Sequence, residues 1–277
     1  MIPLVLRGIT FYKRLKTNCV HFSEKWTAVQ YFSYFCTMVY RELGDQAFAD
    51  LASRILYEDN HLLILNKRVG EIVQGDKTGD EPLSETLKAF IAQRDGKPGH
   101  VFMGVPHRLD RPVSGIAVFA KTSKCLERLN AMFREGDVHK TYWALTCARP
   151  DPAKGELQHW LYRNEKQNKS YAYDRERNGS KLARLRYRVL RDTDRYHLVE
   201  IELLTGRHHQ IRCQLSTIGC PIKGDLKYGA PRSNPDGGIS LHARRITFLH
   251  PVRHTEITVE APVDWPQLAA RMTAADN

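Results

Sequence analysis

His107-Arg108-Leu109-Asp110-Arg111-Pro112-Val113-Ser114-Gly115-Ile116-Ala117-Val118-Phe119-Ala120-Lys121 is the stretch from which the fold can be read. From Gly115 onward it is a short apolar run behind turn residues, the pattern of a buried strand. Its first half sets a histidine, two arginines and one carboxylate side by side. Asp110 has an ordinary reading as a turn former, since its side chain accepts from nearby backbone amides and Pro112 fixes φ. It also lies on a loop feeding a rigid sheet, where catalytic groups tend to be placed. Ser114 and Gly115 read as turn-makers rather than reactants.

Working outward, the chain alternates strands and helices without an obvious linker. A helix is expected over 40–56, a strand over 62–67 and an amphipathic helix over 83–94. Thr122 opens another helix, with Ser123 as its cap and Gly136 at its end. Strands follow at 140–145, 185–190 and 197–204, the last two joined by a turn at Asp192-Thr193-Asp194. The 206–219 segment reads as a helix stopped by Gly219, and 246–260 as two strands around Pro251. The expectation is an α+β fold: a mixed, largely antiparallel sheet with flanking helices.

With 277 residues, 42% hydrophobic and 26% charged, the composition is that of an ordinary globular protein. Six cysteines fall without a CxxC pair, so neither a zinc site nor a disulfide framework is expected, and a cytoplasmic setting follows. No apolar run is long enough for a membrane span and no secretory signal is evident. The net charge of +11 points to a polyanionic partner, most simply nucleic acid. Residues 161–196 hold eleven Lys/Arg against five acids, with Tyr162, Tyr171, Tyr173, Tyr187 and Tyr196 interleaved. Cations mixed with aromatic faces suit phosphates and unstacked bases, although a charge run can equally be a solvated face.

Residues 1–37 are unlike the rest, carrying eight of the 26 aromatics with no clean period. Met38 precedes a regular stretch, so Met38 is expected to be the true start. The preceding extension then lies outside the fold, leaving 38–277 as a single catalytic domain and a net charge of +7.

A second constellation, Thr205-Gly206-Arg207-His208-His209-Gln210-Ile211-Arg212, gathers donors at a strand-to-helix junction, where amides favour anions. A metal reading of His107, His208 and His209 is weak, because adjacent histidines on a helix diverge and no HExxH-type spacing occurs. On residue type alone, Tyr142 reads as a strand tyrosine and Arg212 as a surface helix cation.

Taken together, these segments resemble the pseudouridine synthases of the RluA/RsuA type, in particular the RluA-like branch, over roughly 54–262. The motifs are Asn66-Lys67 with Gly70, the HRLDRPVSG segment, Lys140-Thr141-Tyr142, the TGRHHQIR segment, Pro221-Ile222-Lys223-Gly224-Asp225 with Tyr228-Gly229, and Leu241-His242-Ala243 before His250-Pro251. Arg68 stands where the family commonly has proline, which bears only on a turn. No small N-terminal S4 domain is recognisable, so RNA selection is expected to rest on the catalytic domain.

The resemblance implies a pseudouridine synthase fold around a central RNA-binding cleft and a cofactor-free, metal-free isomerisation of uridine in rRNA or tRNA. The base is cut from C1′ at N1, rotated and rejoined through C5. Asp110 matches the invariant aspartate, acting as nucleophile or as a base at C2′. Tyr142 matches the active-site tyrosine beside the base, Arg212 the arginine that pairs with the carboxylate, and Arg108 the residue that replaces the flipped base in the stack. His107, Arg207, His209 and Gln210 of the two motifs, with Arg163, Lys169, Arg184 and Arg186 of the basic segment, are the expected RNA contacts. These roles are physically coherent. Breaking a glycosidic bond builds positive charge that a carboxylate stabilises, an arginine keeps that carboxylate ionised, and a stacked base must be extruded first. A monomer acting on RNA is expected; the alternatives are a non-catalytic RNA-binding protein of the same fold and a nucleic-acid glycosylase.

Overall fold

The apolar run from Gly115 to Ala120 lies in an interior strand of a ten-stranded sheet. The computed structural model describes residues 40–97, 99–263 and 265–269; the N-terminal extension and the Met38 start lie outside them. In chain order the elements are α1 (Asp45–Arg54), β1 (Ile55–Glu58), β2 (Leu62–Lys67), α2 (Leu83–Asp95), β3 (Ser114–Ala120) and α3 (Ser123–Glu135). Then come β4 (His139–Thr146), β5 (Lys154–Asn164), β6 (Lys169–Tyr173), β7 (Lys181–Asp192), β8 (His197–Leu203) and α4 (Gln210–Thr217). A 3-10 turn at Leu226–Tyr228, β9 (Leu241–Leu249), β10 (Glu256–Glu260) and α5 (Pro266–Ala269) complete it.

The strand order is β1-β2-β3-β9-β4-β8-β7-β5-β6, with β10 on β9. Every pairing is antiparallel except β3 with β9. That parallel seam is short, Ser114 opposite His242 and Gly115 opposite Ala243, and it joins β1-β2-β3 to the larger part of the sheet. Gly115 has φ +106, and a Cβ there would stand 2.6 Å from the Ala243 nitrogen and closer still to its carbonyl oxygen. Only glycine lets the two backbones approach in this way. Leu62–Leu65 and Ile116–Ala120 are buried in one core with Leu87, Phe90 and Ile91 of α2, as expected for strands covered on both faces.

Three elements depart from the sequence reading. The helix expected over 40–56 ends at Arg54, because Ile55-Leu56-Tyr57, branched or aromatic, leaves it to pair with β2. The β5–β6 hairpin, joined through Asn168 in the left-handed region, was not anticipated. Its signal was there: Leu157, His159 and Leu161 alternate with more exposed neighbours. Third, α4 starts only at Gln210, with the TGRHH residues forming the turn before it. The cap of α3 is Thr122, whose Oγ1 accepts from the Cys125 amide at 3.2 Å, rather than Ser123.

Candidate active site

Asp110 combines both of its readings. Its carbonyl closes the turn by accepting from the Val113 amide at 3.0 Å, while its side chain projects free of the turn and is 33% exposed. The loop is pinned from below by Lys67, a buried residue at the end of β2. Its Nζ donates to the carbonyls of Arg68 (2.9 Å), Arg111 (3.2 Å) and Val113 (2.6 Å). Burial pushes the Lys67 ammonium down to about 8, against the nearby Glu71 and Asp110 charges that favour it. Arg111 turns outward onto Asp80 (2.6 Å) and Thr78 (2.7 Å). Two consecutive charged side chains thus serve different ends.

Arg212 is not the surface cation that its type suggested. It projects from α4 into the protein, 6% exposed, and forks onto Asp225, Nε to Oδ2 at 2.7 Å and Nη2 to Oδ1 at 2.9 Å. Its remaining Nη1 reaches Oδ2 of Asp110 at 3.1 Å. Burial opposes the guanidinium charge, but the Asp225 and Asp110 carboxylates outweigh it and raise the Arg212 pKa. Asp225, 1% exposed, stands in a motif whose local sequence discloses no role for it; a buried aspartate needs a cation, and Arg212 is that cation.

Tyr142 on β4 is buried, and burial together with the Asp110 charge raises its pKa, so the phenol stays protonated. His209 sits at the start of α4 in the left-handed region, φ 52. Its Nε2 lies 3.5 Å from Oδ2 of Asp110 and its Nδ1 3.0 Å from the Tyr228 hydroxyl. His208 and His209 do not diverge: they precede the helix, and their rings stack at 3.8 Å. No hydrogen bond or ion pair from the described residues reaches Oδ1 of Asp110. A carboxylate fixed at one oxygen and open at the other is thereby presented at the surface.

Other expected contacts are redistributed. His107, expected as an RNA contact, also has a structural part: its Nε2 accepts from the Val118 amide at 3.0 Å and its ring stacks on Phe133. Gln210, 3% exposed, staples the turn instead. Its Oε1 accepts from Thr205 and the Arg207 amide, and its Nε2 donates to the Arg184 carbonyl. Arg184 and Arg186 alternate with the buried Ala183, Leu185 and Tyr187 on β7, so they point away from the face that α4 covers. There they pair with Glu156, and Arg186 also with Glu202, which neutralises the charge that the sequence seemed to offer to RNA. Arg108 is exposed two residues before Asp110, and no hydrogen bond or ion pair joins it to another described residue. Arg207 is tied to the Leu182 carbonyl. Lys169 lies over the Tyr228 ring at 5.1 Å and the Tyr171 ring at 5.7 Å, and Arg163 is close enough to disfavour charge on His208 and His209. These two mark the β5–β6 side of the site. Among the described residues no group of His, Cys, Asp or Glu is arranged to hold a metal ion.

The sequence model of the RNA pseudouridylate synthase family matches residues 61–217, more than half of the chain. This chain belongs to that family. Ribosomal large subunit pseudouridine synthase C of Vibrio cholerae is 35% identical over 222 residues, which are 78% of this chain and 67% of that protein. An uncharacterised RNA pseudouridine synthase of Bacillus subtilis is 32% identical over 238 residues, 79% of this chain and 76% of its own. The solved structure of human RNA pseudouridylate synthase domain containing 4 is similar with a TM-score of 0.66 at 26% identity, covering 78% of this chain and 91% of that one. As an RNA pseudouridine synthase the chain is an isomerase that converts uridine to pseudouridine. The synthase draws its candidate site from three separated segments, and β3, β4 and α4 bring them together.

The buried imidazoles give the synthase an acid limit. Burial pushes His209 down to about 2 and His242 down to about 4. In the unfolded chain both titrate near 6.5, so below that pH the unfolded state binds more protons and folding stability falls. At pH 5 the expected loss is about 2 kcal/mol for each, relative to neutral pH. Urea midpoints measured from pH 8 to pH 5 should fall accordingly, and His242→Gln should flatten the slope; a flat wild-type profile would contradict the burial described.

Proposed function

We propose that this synthase modifies a uridine of ribosomal RNA, as a cofactor-free monomer in the cytoplasm, with 38–277 as one catalytic domain and Asp110 as the group that acts on the sugar. The observation that carries this reading is the carboxylate anchored through Oδ2 by Arg212 and open at Oδ1. The names of relatives such as ribosomal large subunit pseudouridine synthase C support ribosomal rather than transfer RNA. Nucleophilic attack at C1′ and proton abstraction at C2′ would both use the open oxygen. The N1–C1′ bond breaks, the base turns, C5 bonds to C1′ and the C5 proton leaves.

Tyr142, protonated and buried, packs against the base, and Arg108 stands where it can fill the gap left in the RNA stack. The flanking RNA is read as lying along the β5–β6 hairpin, where Tyr162 and Tyr171 are cross-strand partners, 40% and 37% exposed, beside Arg163 and Lys169. Paired exposed aromatics flanked by cations suit unstacked bases.

Asp110→Asn is expected to abolish pseudouridine formation while leaving RNA affinity nearly unchanged, as read by a product assay and a filter-binding titration. Retained turnover would refute the proposal, and release of free uracil by the wild type would favour the glycosylase. The Tyr162→Ala, Tyr171→Ala double variant should raise KM at least about tenfold with kcat held, since each stacked base contributes roughly 1–3 kcal/mol. Pseudouridine mapping in cells with and without the gene tests the assignment to ribosomal RNA; a difference confined to transfer RNA would overturn it.

A further inference from the structure

We propose that His209 is a positioning residue for Asp110, held as its Nε2–H tautomer by Tyr228 so that it donates to Oδ2. The inference rests on the reading of Asp110 as the acting carboxylate, and it begins with a count of protons. The Ser170 amide on β6 donates to the Tyr228 hydroxyl at 2.8 Å. The hydroxyl therefore accepts there, and its single proton is left for His209 Nδ1 at 3.0 Å. An Nδ1 that accepts places the imidazole proton on Nε2, the atom that faces Oδ2 of Asp110 at 3.5 Å. That contact is long, as such hydrogen bonds often are before substrate tightens them.

A second observation points the same way. His209 adopts φ 52 without being glycine, while its own carbonyl already accepts from the Cys213 amide at 2.9 Å in the first turn of α4. Strained backbone of this kind persists where a side chain must be aimed. The groups facing His209 are Asp110, Arg212, His208, Tyr228, Lys227 of the 3-10 turn and Arg163 of β5. Burial, with three cations among these, keeps the imidazole uncharged.

A neutral donor has a specific advantage at this place. Arg212 already supplies a full positive charge to Oδ2. A second cation would compete with the sugar for the carboxylate charge, whereas an uncharged N–H fixes the carboxylate plane and leaves Oδ1 open. Ser170 lies between Lys169 and Tyr171, so the tautomer is set by the strand proposed to meet RNA.

Selective 15N labelling of the histidines tests this without turnover, the His209 signals being assigned by their loss in His209→Gln. The expected pattern is an unprotonated Nδ1 and a protonated Nε2 from pH 6 to pH 8. Tyr228→Phe, which keeps the ring, should mix the tautomers and lower kcat about fivefold at unchanged KM. His209→Gln, whose amide retains an N–H donor, should keep more activity than His209→Ala. An Nδ1–H or doubly protonated His209, or a Tyr228→Phe protein with unaltered tautomer and kcat, would overturn the assignment. If Asp110→Asn kept its turnover while the tautomer stood as described, the reading of Asp110 would fail instead.

Discussion

Asp225→Ala should reduce pseudouridine formation by about a hundredfold or more and destabilise the fold by about 3–5 kcal/mol, the usual result of removing one partner from a buried ion pair. The activity loss does not come from destabilisation alone. Asp225 occupies Nε and Nη2 of Arg212, so only Nη1 is available to Asp110, and only through Oδ2. With Asp225 gone, the guanidinium is free to fork onto Asp110 and cover the oxygen that otherwise stays open. Asp225→Leu combined with Arg212→Met separates the two effects. Replacing a buried pair by apolar side chains of similar size is often neutral for folding, so the double variant should recover much of its urea midpoint and none of its activity. An Asp225→Ala enzyme of near wild-type kcat would show that the fork has no part in catalysis.

Gly115→Ala is the second large effect. Its Cβ would overlap the Ala243 backbone, and φ +106 is unfavourable for any L side chain. The expected cost is more than about 3 kcal/mol, since neither strand yields without breaking the seam pairing. Gly136→Ala is the control: it has φ +91, yet nothing lies within 4 Å of a Cβ there. Its cost should stay near the conformational penalty of about 1–2 kcal/mol. Thermal melts of the two variants compare close approach with backbone strain; equal shifts would mean that the seam tolerates separation.

Much of this site could be read along the chain because its parts are short motifs at strand ends. Asp110 stands out in a turn before an apolar run, whereas Arg212 reads locally as a surface cation and is singled out only by the resemblance of its motif. What escaped depends on neighbours across the sheet. Nothing local reveals that Glu156 and Glu202 lie beside Arg184 and Arg186 and share their charge. Gln210 and His107 have the right chemistry for RNA, yet the amide of Gln210 and Nε2 of His107 are engaged in holding the backbone that carries the site. Lys67 and Asp225 stood within motifs, but a buried charge declares its purpose only when its partners are seen. The β5–β6 hairpin was hidden because its basic composition drew the eye away from its alternation.

The narrow parallel seam between β3 and β9 also bears on how the enzyme comes into being. Asp110 precedes the seam on one side, whereas Tyr142, Arg212 and Asp225 belong to the stretch that reaches the sheet's other side through β4 and β9. A nascent chain still lacking β9 can pair β3 with β2 but leaves the other edge of β3 without its partner. The pairing that joins the strand behind Asp110 to the rest of the sheet is therefore made only once β9 has been synthesised.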